Sequence, residues 1–402
     1  MEFQVLQGGL DVVLGFSSFG VHCGIKKDRN DLAVILSEVP ATAAGMFTRN
    51  EIKAAPVLVT KRHLEKSGFL QLIVANSGVA NACTGKKGEE DAEWVAERAA
   101  FHFGLQDRSL VAVASTGVIG EFLPLEKIDK GLQHLASLLP KQKSSREAAK
   151  AIMTTDTFPK ERAVALSFGG RIVHLAGIAK GAGMIRPNLA TMLSFIVTDA
   201  CIHREDLESM LREAVDRSFH RVTVDGDTST NDMVLFLANG ASGVTLEGES
   251  SMRFFREALF FICEELAKDL VRDGEGATKF VTVKVEGARN EEEARLCAFT
   301  VAESPLVKTA LFGEDPNWGR IMAALGRSGV SLNPERVSVV LNDVLCVKDG
   351  VRAQGVSREV LKKAMEKKEI VICINLGLGN ASFEVWTCDL SLEYVRINSH
   401  YS

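Results

Sequence analysis

The 402-residue sequence predicts an α/β or α+β fold built from layered sheets. Three observations carry that expectation. Short Val- and Ile-rich runs alternate with amphipathic helical stretches along the chain. Several of the runs stop at glycine turns. No heptads, fixed-period repeats or low-complexity tracts interrupt the mixture. At this length two or more packed units are expected rather than one core.

Taken in order, LQLIVANSG (70–78) and RSLVAVASTG (108–117) read as buried strands, each ending in a glycine turn. Between them, EEDAEWVAERAAFHFG (89–104) spaces Ala92, Val95, Ala96, Ala99 and Phe103 along one helical face, with Gly104 as its stop. LEKIDKGLQHLASLL and SREAAKAIM are further helices. HREDLESMLREAVDRSFHR (203–221) is a helix with an acidic first turn, and MRFFREALFFICEELAKDLVRDG (252–274) is a longer one, apolar enough to lie between layers. KFVTVKVEG alternates as a strand with one wet face. The polar stretch GARNEEEARL then opens another α/β segment. It contains SVVLNDVLCV, a helix at SREVLKKAMEKK, and IVICINLGLG followed by SFEVWTCDL.

Composition narrows the function. Hydrophobic residues make up 46% and charged residues 25%, as in soluble globular proteins. A net charge of −5 gives no basic footprint, so nucleic acid is not an expected partner. The start, MEFQVLQGGLDVVLGF, lacks the pattern of a signal peptide, and no apolar run approaches the roughly 18 residues of a membrane helix. The expectation is a cytoplasmic protein with no membrane partner. The eight cysteines are scattered without a CxxC pair and are expected to be buried, reduced thiols. The eight histidines form no HxxxH or HExxH, so no metal centre is expected.

Several clusters could carry chemistry. In KGAGMIRPNLATMLSF (180–195), two glycines and a proline crowd ahead of Thr191. A threonine hydroxyl is a weak nucleophile unless a base stands beside it, and the simplest base is its own α-amine. That amine exists only if the bond from Ala190 to Thr191 is broken. Its ordinary pKa, about 7.7–8.0, makes it a base near neutrality after modest tuning. The plainer alternative is that Asn188 or Thr191 caps a following helix. In ASTGVIG (114–120), Thr116 Oγ and the Gly117 N–H at a strand tip could face a developing oxyanion, or form a simple turn. DGEGATK (273–279) sets Glu275 between glycines, exposed and suited to a cationic substrate group, or forms an ordinary surface turn. VTVDGDTSTND (222–232) has three acids but fails the Ca²⁺-loop spacing. ANSGVANACTG (75–85) and DPNWGRIMAALGRSG (315–329) read as polar mouths or ordinary surface loops. No phosphate-binding glycine motif is complete.

The joint order of STGVIG, MTTDTFPK, KGAGMIRPNLATML, VDGDTSTND, DGEGATK, DPNWGR and a closing INSHY resembles the ornithine acetyltransferase family, the glutamate N-acetyltransferases of arginine biosynthesis. The likeness runs from about residue 8 to the C-terminus. It implies an αββα sandwich with a smaller C-terminal α/β lobe, similar to that of self-cleaving aminopeptidases. The precursor is then expected to cut itself between Ala190 and Thr191 into chains of 190 and 212 residues. On this likeness the second chain carries the rest of the sandwich to about residue 285, then the lobe from about 286 to 402. The fragments would stay associated as a heterotetramer, two of each.

By the same resemblance Thr191 is the nucleophile that accepts acetyl, and Thr116 and Gly117 form the oxyanion hole. Thr154, Lys180, Thr191, Glu275 and Asn398 match substrate-binding positions. Two departures stand out. Ala182 replaces the usual Ser, and the chain stops at Ser402, four residues after Asn398, where Ser402 or its carboxylate would have to substitute for a later hydroxyl. The implied reaction moves acetyl from N2-acetyl-L-ornithine to L-glutamate in two half-reactions, without a cofactor. Acetyl-CoA stays open as a second acetyl source, because only some members use it. The nearest rival is a self-cleaving amidase or aminopeptidase of the same architecture, which gives the acyl group to water.

Overall fold

The longest strand explains the architecture of the first unit. In the computed structural model, which describes residues 3–186 and 192–399, the chain divides into two units. The first comprises residues 1–220 and 227–270, the second residues 221–226 and 271–402. The first holds β1 (Gln4–Leu6), β2 (Phe16–Val21), β3 (Leu32–Phe47), α1 (Ala55–Ser67), β4 (Phe69–Val79), α2 (Gly85–Phe103), β5 (Val111–Val118), α3 (Leu125–Leu138) and α4 (Ser145–Ile152). It continues through β6 (Lys160–Phe168), β7 (Arg171–Lys180), β8 (Leu193–Thr198), α5 (Arg204–Arg217), β9 (Met233–Ala238) and α6 (Glu249–Arg272) as far as Leu270.

Among the described residues, nine strands share one sheet in the order β1-β6-β7-β8-β9-β3-β4-β5, with β2 on β3. β3 is 16 residues long and serves both halves. Its first part pairs with β2 and β4, its last part with β9, and the register slips between Leu36 and Ala41. Pro40 falls in that slip, where a residue without an N–H breaks no ladder. The bend folds the sheet onto itself. Ala33, Ile35, Ile73 and Ala112 of one half then share a core with Ile178, Phe195 and Leu235 of the other, and with α4. The opposite face of the first half buries Val34, Val74 and Val113 against Val95 and Ala99 of α2 and Leu132 of α3. On the far side Phe255 of α6 stacks on Phe236 at 6.4 Å, and Gly177 of β7 lies under Ile262 and Leu266. The layers therefore run helix, sheet, sheet, helix, as the resemblance implies.

β8 and β9 pair in parallel and are buried at every position, which accounts for their unbroken apolar sequence. The helix cap weighed for Asn188 or Thr191 has no helix to cap: the next element is strand β8. A uniformly apolar six-residue run has no period by which helix and strand can be told apart.

The second unit holds β10 (Phe280–Ala288), α7 (Glu291–Ala302), α8 (Pro305–Phe312), α9 (Trp318–Gly326), β11 (Ser338–Leu341), β12 (Val344–Lys348), β13 (Val351–Arg352), α10 (Arg358–Met365), β14 (Glu369–Asn375), β15 (Ala381–Cys388) and α11 (Leu392–Asn398). Its described strands order as β13-β12-β11-β14-β10-β15. β10 is thus interior to this sheet, and the unit takes in residues ahead of 286. SVVLNDVLCV is a hairpin, its Asn342 and Asp343 both at positive φ as a tight two-residue turn requires.

Among the described residues no helix is long and apolar enough to cross a membrane. All eight cysteines are free, but Cys83 and Cys201 are exposed and Cys23 and Cys373 only half-buried, so the expectation of buried thiols holds at the other four alone. Small polar-flanked thiols carry no periodic signal that separates inside from outside.

Candidate active site

In the first unit the ends of β5, β7 and β8 come together around a buried charge network. The tip of β5 is held by close packing. Gly117 adopts φ +134°, and a Cβ there would sit 2.3 Å from the Gly78 carbonyl carbon of β4, so no side chain is accommodated. The two strands meet at this glycine pair, where the register shifts by one residue. Asn231 braces the tip from the other half of the sheet, donating through Nδ2 to the carbonyls of Ser115 (2.8 Å) and Ala80 (2.7 Å). Thr116, next to this brace, is 4% exposed.

Lys180, the last residue of β7, is also buried and donates from Nζ to Thr116 Oγ1 at 3.0 Å. A hydroxyl that accepts from an ammonium still has its own O–H to give. Thr116 is therefore arranged as a donor with a cation behind it.

Asp156 organises the loop that carries Thr154. Its Oδ1 accepts from Lys160 Nζ (2.7 Å) and from the Gly181 N–H (2.7 Å), and its Oδ2 accepts from the Thr154 N–H (3.0 Å). Burial alone would raise its pKa, but the Lys160 and Lys180 ammoniums outweigh burial and hold the carboxyl well below its usual 3.8. Lys26 donates to the Met153 carbonyl at 3.0 Å. Burial, helped by Arg29 and opposed by Asp31, pushes its ammonium down to about 8. The loop bearing Lys26 is wound around Asp31, whose carboxylate takes the N–H groups of Cys23, Gly24 and Lys26.

At the start of β8, the Met192 N–H donates to Asp232 Oδ1 at 2.9 Å. Asp232 is fully buried, and burial raises its pKa well above the usual value, against the lowering effects of the Met192 N–H, Lys180 and Ser229.

The network thus brings together Thr116, Gly117, Lys180 and the Thr154 main chain. Ala190, Thr191 and Ser402 lie outside the described residues. In the second unit Glu275 is buried rather than exposed. Asn398 Nδ2 donates to its Oε2 at 2.6 Å, and the Cβ that residue 276 lacks would meet the Tyr394 nitrogen at 2.6 Å. Gly276 lets α11 close over the acid, which reverses the exposure expected from a Gly-flanked turn. The cluster at 75–85 points inward: Ser77 Oγ donates to Ala151, Asn81 Nδ2 to Gly88, and Asn76 accepts from Ser115 Oγ at 2.6 Å. In DPNWGR, Asn317 caps α9 and Arg320 binds the Leu306 carbonyl.

Sequence reasoning missed Lys26, Asp156, Lys160, Asn231 and Asp232 as parts of this network. Asp156 and Asp232 stand inside quoted motifs, but VDGDTSTND was weighed only as a cation loop. Nothing in a sequence marks an acid as buried beside a lysine 24 residues away.

A model of the ArgJ family matches residues 17–402. The arginine biosynthesis bifunctional protein ArgJ of Symbiobacterium thermophilum is 46% identical over 401 residues, 98% of this chain and 99% of that protein. The protein of that name from Bacillus cereus is 45% identical over 404 residues, covering 99% of this chain and 98% of its own. Among solved structures, ArgJ from Bacillus halodurans is 41% identical with a TM-score of 0.43, over 46% of this chain and 97% of that one. Ornithine acetyltransferase from Mycobacterium tuberculosis, complexed with ornithine, is 38% identical with a TM-score of 0.43, over 46% of this chain and 98% of that one. With a family match running from residue 17 to the last residue, and relatives at 45–46% identity across nearly all of both chains, the chain belongs to the ArgJ family.

Proposed function

We propose that this acetyltransferase of arginine biosynthesis moves acetyl from N2-acetyl-L-ornithine to L-glutamate through an ester on Thr191. Cleavage of its own chain between Ala190 and Thr191 comes first and supplies the α-amine. That amine takes the Thr191 hydroxyl proton as the oxygen attacks the acetamide carbon. Negative charge develops on the acetyl oxygen, for which Thr116 O–H and the Gly117 N–H are the donors. Ornithine leaves with the proton, and acetyl-Thr191 remains. Glutamate enters, its α-amine attacks the ester, and N-acetylglutamate departs.

The observation that carries this reading is the Lys180–Thr116 pair at the strand tip, 3.0 Å apart and buried. It supplies a polarised donor in a water-poor site, where such a group is worth about 2.7–4 kcal/mol to a transition state. Lys180 and Thr154 suit the substrate α-carboxylate, and Glu275 with Asn398 suits the ornithine side-chain ammonium. The reading includes associated fragments, two of each, in the cytoplasm and without a cofactor, supported by the motif resemblance. The word bifunctional in the relatives' names supports acetyl-CoA as a second donor to test.

The test is to incubate the protein with acetylornithine alone, then add glutamate. Expected are one equivalent of ornithine released in a burst, slow turnover without glutamate, and ping-pong kinetics with it. Hydrolysis equally fast without glutamate would favour the amidase, and a compulsory ternary complex would exclude the ester path.

A further inference from the structure

The loop ahead of β3 carries a lysine that the reaction above leaves unused. Asp31, fully buried, fixes that loop. Its carboxylate accepts from the N–H groups of Cys23 (2.7 Å), Gly24 (3.1 Å) and Lys26 (2.9 Å), and its carbonyl accepts from the Ser77 N–H at 2.9 Å. The last of these bonds ties the loop to β4 one residue ahead of Gly78. Lys26 then lies directly over that glycine: a Cβ at 78 would stand 3.2 Å from Lys26 Cγ and 2.8 Å from Ile25 Cγ2. Gly78 is the partner of Gly117 at the strand tip. From there the side chain reaches the loop of Thr154, where Nζ donates to the Met153 carbonyl at 3.0 Å. The lysine therefore spans the tip that carries Thr116 and Gly117 and the loop that carries Thr154.

An ammonium has three N–H donors and no acceptor. Among the described residues the Met153 carbonyl is the one acceptor that Lys26 Nζ has, so two of its donors are uncommitted. The charged groups that act on it are Arg29, Asp31, Asp156 and Lys180. Neither acid hydrogen-bonds to it. Asp31 is occupied by the main-chain N–H groups and by the His22 ring at 3.1 Å, and Asp156 by Lys160 and the N–H groups of Gly181 and Thr154. Burial, then Arg29, pushes its pKa down to about 8, so it is mainly charged at pH 7. A half-buried cation of this kind gains more from an incoming carboxylate than a fully solvated one does.

The two substrates differ in what they ask of such a group. Acetylornithine has one carboxylate and, at its far end, an ammonium. Glutamate has two carboxylates, and the second needs a cation of its own in a water-poor site. We propose that Lys26 is a specificity-determining residue for the acceptor, its ammonium taking the side-chain carboxylate of glutamate in the second half-reaction. The proposal rests on the acetyl-transfer reading above. The same charge repels the side-chain ammonium of ornithine, so it favours exit of the first product and entry of the second substrate.

The test uses the full, mature enzyme and separates the half-reactions. In ping-pong kinetics kcat/KM for acetylornithine reports the first and kcat/KM for glutamate the second. Lys26→Met keeps the stem over Gly78 and removes the charge. Its kcat/KM for glutamate is expected to fall about 10–100-fold further than that for acetylornithine, and its preference for glutamate over glutamine as acceptor to shrink by a similar factor. Lys26→Arg restores a cation and is expected to recover much of that preference. A second measurement needs no substitution: brief amine labelling of the wild type, read by peptide mass spectrometry against exposed Lys61 in the same sample. Glutamate is expected to shield Lys26, and ornithine is not. Equal loss in both half-reactions, an unchanged preference for glutamate over glutamine, or equal shielding by the two amino acids would overturn the role of Lys26. A wild-type enzyme that releases no ornithine from acetylornithine would instead overturn the acetyl-transfer reading.

Discussion

Asp156 shows how one residue holds the site in shape. It is a buried carboxylate beside two lysine charges and taking two main-chain N–H groups, so its removal takes away the counter-charge of two buried ammoniums in a low-dielectric interior. Asp156→Ala is expected to destabilise the first unit by about 3–5 kcal/mol, measured by urea unfolding. The pH dependence has a definite sign. The folded-state pKa lies below the unfolded 3.8, so the unfolded chain binds more protons as acid is added. The contribution of Asp156 is present above pH 3.8 and is lost as pH falls below it, and Asp156→Asn should flatten that acid limb. Thr116, Gly117 and Lys180 were legible in the sequence because they sit at glycine-marked strand ends within ordered motifs. Asp156 and Asp232 were not, because their chemistry comes from burial and from partners that only the fold brings near.

At the scale of elements, the meeting of β4 and β5 at Gly78 and Gly117 is what shapes the strand tip. Gly117→Ala would drive a methyl to 2.3 Å from a main-chain carbonyl carbon and require φ +134° of an L-residue. Nothing flexible lies in the way to yield. The expected outcome is a chain that folds poorly, or a folded one whose transfer rate falls about 100-fold or more as the oxyanion donors shift. Wild-type transfer and melting temperature in Gly117→Ala would refute this account of the tip. α2 was readable to its last turn, since Gly104 closes it at φ +68° as the sequence indicates. β6 and β7 escaped notice although Gly169 and Gly170 between them are both at positive φ and form a recognisable hairpin signal. β8 escaped for a different reason, since its six buried positions show no alternation.

For the whole molecule, the αββα order of layers was available only through the motif resemblance. Local pattern names strands and helices, but not that β8 lies between β7 and β9, or that β3 bends to serve both halves of its sheet. Those pairings join segments up to about two hundred residues apart, and such closure is decided by the summed burial of many side chains rather than by any short stretch. The same nonlocality is why the proposed reaction can centre on a threonine in the middle of the chain. It becomes a terminus only if the folded precursor cuts itself. Intact-mass and N-terminal sequencing of catalytically active protein is the most direct measurement. The account predicts two chains, one ending at Ala190 and one beginning Thr-Met-Leu-Ser, the latter gaining one acetyl group when acetylornithine is added without glutamate. Full activity from a single uncut chain of 402 residues would contradict it.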